Sequence, residues 1–174
     1  MVEKSDAWIF AYGSLMWDPR FDYLDVQPAL LRGYHKAFCI RSVSAWGTNE
    51  RPGLVLGLLP GGSCRGLAFR VAMNQTATVL NRLRRREDAY IHRLVPVAIS
   101  KRKVEAHLYV ANLNHERFVG ELPAEDVAQL IRQGIGHSGS SREYLKNSVR
   151  YLVEFGIRDE PLHHLLELVD GMGR

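Results

Sequence analysis

The sequence predicts an α+β fold: a small barrel or strongly curled sheet of mostly antiparallel strands, with helices added late in the chain. Strand-like runs rich in aromatic and β-branched residues dominate the first two-thirds. Apolar residues at helical spacing dominate the last third. The two kinds of element do not alternate strictly, and this order argues against a Rossmann sheet.

Length and composition are those of a globular domain. The chain has 174 residues, of which 46% are apolar and 24% charged, so we expect a single domain over residues 1–174. No apolar run reaches the roughly 18 residues that a membrane-spanning helix requires. The polar residues 1–6 are not followed by the apolar stretch of a signal peptide. These features predict a cytoplasmic protein without a membrane partner.

The predicted strands come first in chain order. Residues 6–12 and 33–42 form the first two. Residues 53–59 and 64–71 form the next two, and Pro60–Ser63 between them has the composition of a tight turn.

A helix and a hairpin follow. Residues 75–87 are predicted to be helical, with Asn74 or Thr76 as N-cap. Residues 94–100 and 105–111 should then pair as a hairpin. The apolar stripe of the helix comprises Val79, Leu80 and Leu83.

Three helices are expected in the last third. The first begins at Pro123, carries acidic residues in its first turn and ends near Gln133, before the glycine-rich segment 134–139. The second starts at Ser140 or Ser141, and Ser140 has the capping-box spacing to Glu143. The third covers about residues 160–169. The predicted buried face of the second helix comprises Leu145, Val149, Leu152 and Val153.

Cysteine and histidine usage does not indicate a metal site. The two cysteines, Cys39 and Cys64, lie in apolar strand-like segments and are interpreted as small core residues. The seven histidines show neither HExxH nor zinc-ligand spacing. We therefore expect no bound metal.

The net charge of +4 raises the possibility of a nucleic-acid partner. The basic clusters are Arg84–Arg86 and Lys101–Lys103. Neither is accompanied by a nucleic-acid-binding motif or by interleaved aromatic residues, so such a partner is disfavoured. A mild positive field would instead attract an anionic small molecule.

The turn after the first strand is the strongest candidate for a binding site. Gly13 permits close approach of a ligand to the main chain, and the successive N–H groups of Ser14 and Leu15 can hold an anion. A plain β-turn beside buried aromatic residues explains the local sequence equally well.

Three segments could meet at one pocket: Tyr12–Leu15, the end of the helix that carries Glu87, and residues 136–144. A carboxylate at an element boundary can reach a cleft. Considered alone, however, Glu87 is more simply explained as a surface residue paired with Arg84 at helical spacing.

The segment Tyr12–Trp17, YGSLMW, resembles the YGSLxW signature of the ChaC family of glutathione-specific γ-glutamylcyclotransferases. Further similarities occur in the family's order and cover nearly the whole chain. They are Arg32–Cys39, Gly47-Thr48 with residues 52–56, residues 62–66, Arg86-Glu87, and residues 136–139 with Glu143–Leu145.

The resemblance implies a γ-glutamylcyclotransferase-like mixed-strand barrel with flanking and C-terminal helices. It implies cleavage of glutathione to 5-oxoproline and cysteinylglycine without metal or cofactor. Glu87 would be the catalytic acid–base, with Asp88 as the less favoured alternative. Tyr12, Gly13, Ser14 and Leu15 would hold the γ-glutamyl head, and Tyr144 would line the same pocket.

Efficient proton transfer by Glu87 requires a pKa near neutrality, and nearby arginines would lower it. We therefore expect Arg84, Arg85 and Arg86 to point mostly away from this carboxylate. Two alternative functions remain open. One is a cyclotransferase for other γ-glutamyl amines or dipeptides, and the other is a non-catalytic regulatory binding protein of the same fold. The oligomeric state is also left open.

Overall fold

A closed barrel of five strands forms the centre of the protein, with the order β1-β3-β2-β4-β5 in the computed structural model, which describes residues 5–171. The strands are β1 Ala7–Ala11, β2 Asp25–Ser42, β3 Gly53–Val71, β4 Tyr90–Ile99 and β5 Arg102–Ala111. Strands β1 and β5 close the barrel in parallel, and the other neighbours are antiparallel. The predicted α+β barrel of mixed strands is confirmed. Met1–Lys4, which contributed to the signal-peptide argument, lie outside the described residues.

Large apolar side chains from all five strands are buried in one core cluster. This follows from the alternation of residues across the pleated strands. Barrel strands and the C-terminal helices contribute to the same cluster. Examples from the strands are Phe10, Leu31, Leu67, Ile99 and Leu108.

The predicted turn at Pro60–Ser63 is wrong. Strand β3 continues through this segment and pairs with β2 on both sides of it. The chain instead reverses between Ser42 and Gly53. Gly61 and Gly62 have positive φ values of 101° and 70°, and they lie near Gly33, whose φ is 90°. The glycines therefore permit an irregularity that bends a long strand pair, not a chain reversal.

Four helices flank the barrel: α1 Met73–Arg86, α2 Ala124–Gln133, α3 Ser141–Glu154 and α4 Glu160–Gly171. Short strands β6 Ile135–Gly136 and β7 Gly139–Ser140 pair between α2 and α3. The first turn of α1 is not capped by Asn74 or Thr76 as predicted. The Met73 N–H donates instead to the Asp6 carboxylate at 3.2 Å. This cap comes from a residue distant in sequence, so local pattern could not reveal it.

The start of α3 agrees with the prediction. Ser140 is the N-cap, and a capping box with Glu143 is present. Leu145, Val149 and Leu152 are buried as expected, whereas Val153 is 52% exposed and does not belong to the buried face.

Both cysteine thiols are free and buried in the core, as predicted. Burial raises the pKa of each thiol to about 12, so both remain protonated near neutral pH. Among residues 5–171, no helix has both the length and the apolar character needed to cross a membrane.

Candidate active site

A cavity of about 1050 Å³ opens where β1 and β5 end and β4 begins. Its wall brings together the turn after β1, the C-terminal end of α1 and the start of α3. All six predicted site residues line it: Tyr12, Gly13, Ser14, Leu15, Glu87 and Tyr144. The three segments that the sequence analysis singled out therefore meet.

The turn after β1 is a short 3₁₀ helix, Ser14–Met16. The Met16 N–H donates to the Gly13 carbonyl at 2.9 Å, and the Asp18 N–H donates to the Ser14 carbonyl at 2.9 Å. The N–H groups that begin such a turn have no acceptor within it, and Gly13, Ser14 and Leu15 line the cavity. The turn is more than a plain β-turn beside a core, because its residues line a cavity.

Tyr12 and Tyr144 anchor this turn from two sides. The Tyr12 hydroxyl donates to the Tyr109 carbonyl on β5 at 2.7 Å. The Tyr144 hydroxyl accepts the Leu56 N–H at 3.2 Å and lies against Gly13. Burial, the largest cause, raises the pKa of both phenols, so they remain neutral.

The first residues of α3 are fixed on β3, and this places Tyr144 in the cavity. The Ser141 hydroxyl donates to the Leu54 carbonyl at 2.6 Å and accepts the Leu54 N–H at 3.1 Å. The rings of Trp17, Phe38 and Trp46 pack edge-on around the Tyr144 ring. A main-chain anchor and an aromatic cage therefore restrict the orientation of Tyr144.

Glu87 follows α1 directly, and its N–H still bonds to the Leu83 carbonyl at 2.9 Å. Its side chain is only 15% exposed. Burial raises the pKa of this carboxyl, and the neighbouring Asp88 raises it further, whereas Arg86 and Arg117 lower it. The net direction is upward, because desolvation of the charged form is the largest cause. The raised pKa makes this carboxyl a better proton acceptor than an exposed glutamate.

Asp88 has a different environment. Its side chain is 69% exposed and forms an ion pair with Arg117. Arg117 lies on the loop after β5, and its own N–H donates to the His115 ring at 3.1 Å. The exposure and pairing of Asp88 favour Glu87 over Asp88 as the functional acid.

The expected orientation of the three arginines is wrong in part. Arg85 and Arg86 line the cavity, and only Arg84 is absent from its wall. The Arg86 Nε atom lies 3.7 Å from the Glu87 carboxylate, and the rest of its guanidinium contacts the turn after β1. Arg86 therefore faces the site without forming a bidentate clamp on Glu87.

Several cavity residues were not predicted. Tyr90 stands at the start of β4, and its hydroxyl donates to the Leu56 carbonyl at 2.7 Å. Because Tyr90 follows Glu87 by only three residues, the sequence could have indicated that it lies in the same cavity. Arg117 lies in a loop without periodicity, so no local pattern identified it. Over residues 5–171, no group of three or more potential metal-ligating side chains was found.

The fold and the cavity together define a class of protein. The structure superposes on the crystal structure of a γ-glutamylcyclotransferase specific to glutathione from yeast, with a TM-score of 0.90, 24% identity and coverage of 96% of each chain. A second crystal structure of that yeast enzyme gives a TM-score of 0.89 at 23% identity and covers 98% of this chain and 100% of the other. At these identities the likeness establishes the fold, which is that of the γ-glutamylcyclotransferases.

Sequence comparison defines the family. The family model of ChaC-like proteins matches residues 7–172. A glutathione-specific γ-glutamylcyclotransferase of Escherichia coli K12 is 30% identical over 168 residues, which are 94% of this chain and 73% of the relative. The human glutathione-specific γ-glutamylcyclotransferase 1 is 31% identical, over 95% of this chain and 78% of the relative. The chain belongs to the ChaC-like family.

Proposed function

We propose that this protein is a γ-glutamylcyclotransferase that cleaves glutathione to 5-oxoproline and cysteinylglycine. One observation carries the proposal: the largely buried side chain of Glu87 lines the same cavity as the turn Gly13–Leu15. The relatives from Escherichia coli and human are glutathione-specific γ-glutamylcyclotransferases, which supports the choice of glutathione. A buried acid with a raised pKa is typical of proton-transfer catalysts, and a mere binding protein has no need of one.

The reaction uses a nucleophile that the substrate itself carries. The α-amine of the γ-glutamyl group attacks the γ-carbonyl carbon, a C–N bond forms within a five-membered ring, and the amide C–N bond to the cysteinyl nitrogen breaks. Glu87 takes a proton from the attacking amine and returns one to the departing nitrogen. The carboxylate is thus regenerated and no water is consumed. One group can perform both transfers because its pKa is shifted toward neutrality.

The turn would supply the positioning that ring closure requires. Main-chain N–H groups of Gly13–Leu15 would bind the α-carboxylate or polarise the γ-carbonyl. Donors aimed at a developing oxyanion contribute about 3–4 kcal/mol each. The turn would also hold the flexible γ-glutamyl chain folded on itself, which lowers the entropic barrier to cyclisation. Tyr12 and Tyr144 contribute by restraining the turn.

A second candidate substrate class is other γ-glutamyl amines or dipeptides. The cavity volume of about 1050 Å³ supports this second substrate class, because that volume is at the upper end of the roughly 300–1,000 Å³ typical of small-molecule sites. Such a cavity has room for leaving amines of different size. The γ-glutamyl head would bind identically in both cases, and only the leaving amine would differ.

The decisive experiment is incubation with reduced glutathione and detection of cysteinylglycine and 5-oxoproline in equal amounts. Glu87→Gln, purified in parallel, controls for contaminating peptidases. A parallel panel of γ-glutamyl amines, γ-glutamyl dipeptides and oxidised glutathione ranks the substrates by kcat/KM. Release of 5-oxoproline from the panel but not from glutathione would favour the second class. No release from any compound would reject catalysis and leave the regulatory binding role.

We also propose two properties of the protein in the cell. The first is a cytoplasmic location. The two buried free thiols support it, because free thiols are usual in reducing compartments. The second is single-domain behaviour, supported by the core cluster that barrel and helices share. Cell fractionation tests the first, and a single cooperative unfolding transition tests the second.

A further inference from the structure

Arg86 lies between the turn after β1 and Glu87 in the cavity wall. It is the last residue of α1, and its side chain is 28% exposed. Its Nη2 atom donates to the Ser14 hydroxyl oxygen at 3.0 Å, and its Nη1 atom donates to the Asp18 carbonyl at 2.9 Å. The Nε atom of the same guanidinium lies 3.7 Å from the Glu87 carboxylate. One planar group therefore contacts the substrate-facing turn and the buried acid together.

The hydrogen bond between Arg86 and Ser14 fixes the role of the Ser14 hydroxyl. A guanidinium has donors only, so the Ser14 oxygen must be the acceptor in this bond. The hydroxyl keeps its own proton, and in the described part of the chain no side-chain or main-chain acceptor engages it. Ser14 lines the cavity. Its proton is thus available to an acceptor atom of a bound ligand.

The contacts of Arg86 also restrict how it meets Glu87. Both Nη atoms are engaged with the turn, so the guanidinium cannot rotate to form a two-point bridge with the carboxylate without breaking them. Such a bridge would occupy the carboxylate oxygens that must exchange protons with the substrate. The turn therefore holds Arg86, and Arg86 in return fixes the turn relative to Glu87.

We propose that Arg86 is a positioning residue of the reaction: it holds Ser14 as a hydrogen-bond donor toward the γ-glutamyl group and sets the spacing between the turn and Glu87. This inference rests on the proposed function. Arg86 acts through Ser14 and the turn, and it does not touch the reacting atoms.

The test is a double-mutant cycle on 5-oxoproline release from glutathione with Arg86→Gln, Ser14→Ala and the double variant. Loss of a hydrogen bond to a charged group corresponds to roughly a 10- to 100-fold decrease, so each single variant should lose about that much in kcat/KM. The double variant should lose little more than the more impaired single variant. Once Ser14→Ala has removed the hydroxyl, the loss of the Arg86 guanidinium can no longer disturb its orientation. Both singles should also affect the same constant, kcat or KM.

The matched control is Arg84→Gln, which removes the same charge from the same helix but lies outside the cavity wall. It should retain activity within about twofold, in line with the small effects of surface substitutions. If Arg86→Gln fails to fold by circular dichroism, the cycle is run with Arg86→Lys, for which the same coupling is expected. Losses that multiply in the double variant, or an Arg86→Gln enzyme as active as the wild type, would overturn the inference. In either case the wild-type turnover would leave the proposed function intact, whereas an inactive wild type would reject both.

Discussion

The hydroxyl of Tyr144 occupies the space where a side chain on residue 13 would begin. A Cβ atom built on Gly13 would lie 2.4 Å from the Tyr144 Oη atom, whereas its other neighbours are at 3.5 Å or more. The same hydroxyl accepts the Leu56 N–H. Helix α3 thus supports the turn after β1 through one oxygen atom, and the glycine of the turn is required by that close approach.

This relationship predicts the effect of Gly13→Ala. The added methyl group should force the turn and Tyr144 apart, with a loss of about 1–3 kcal/mol in the free energy of unfolding, as is typical of overpacking. Tyr144→Phe alone should lose about 1–3 kcal/mol, because it leaves the buried Leu56 N–H without its acceptor. The double variant should be more stable than the sum of the two losses predicts, because the clashing oxygen is gone.

Urea unfolding of the four proteins measures this coupling, and 5-oxoproline release shows whether the turn recovers its function. Strictly additive losses would mean that the turn relaxes by another route and that Tyr144 does not constrain it.

Glu87 and Asp88 are adjacent carboxylates with opposite environments, and this contrast gives the second prediction. Glu87→Gln should keep the fold and lower kcat by about 10²–10⁴-fold, the usual contribution of a general acid–base. Asp88→Asn should keep turnover within about tenfold near neutral pH, since its side chain is largely exposed and paired with Arg117. Steady-state kinetics on glutathione compares them directly. A greater loss for Asp88→Asn would transfer the acid–base role to that residue.

The third prediction concerns stability. The pKa of Glu87 is raised in the folded state, so the folded protein binds this proton more tightly than the unfolded chain does. The favourable contribution is complete below the unfolded pKa and is lost as the pH rises through the folded pKa. Above that range the largely buried carboxylate is charged and costs stability, which Glu87→Gln avoids. The variant should therefore have the higher Tm at neutral and alkaline pH.

Thermal unfolding of the wild type and Glu87→Gln, measured from acidic to alkaline pH, tests the direction of this difference in Tm. The advantage of Glu87→Gln should shrink as the pH falls through the folded pKa. A variant less stable than the wild type at alkaline pH would show that the carboxylate is stabilised in its charged form.

The sequence predicted those features of the site that depend on local pattern. The turn at Gly13-Ser14 and the capping box of Ser140 are set by neighbouring residues, and both were confirmed. The orientation of Arg86 was not predictable, because its partner Ser14 lies 72 residues away. The same reason explains the missed cap of α1, where Asp6 is 67 residues from Met73. Side-chain direction at a helix end depends on such distant partners and not on spacing.

Two of the charges beside Glu87, those of Asp88 and Arg117, should shift its pKa in opposite directions. Asp88 raises the pKa of Glu87 and Arg117 lowers it. Asp88→Asn removes the first effect and leaves the Arg117 cation unpaired, so both changes lower the pKa, and the acidic limb of kcat/KM should move to lower pH. Arg117→Gln removes the opposing charge and should move that limb to higher pH. The shift in Asp88→Asn should diminish at high salt, because Asp88 is exposed and its charge is screened. Rate profiles of the two variants at low and high ionic strength provide the measurement, and shifts in the same direction would show that the limb does not report Glu87.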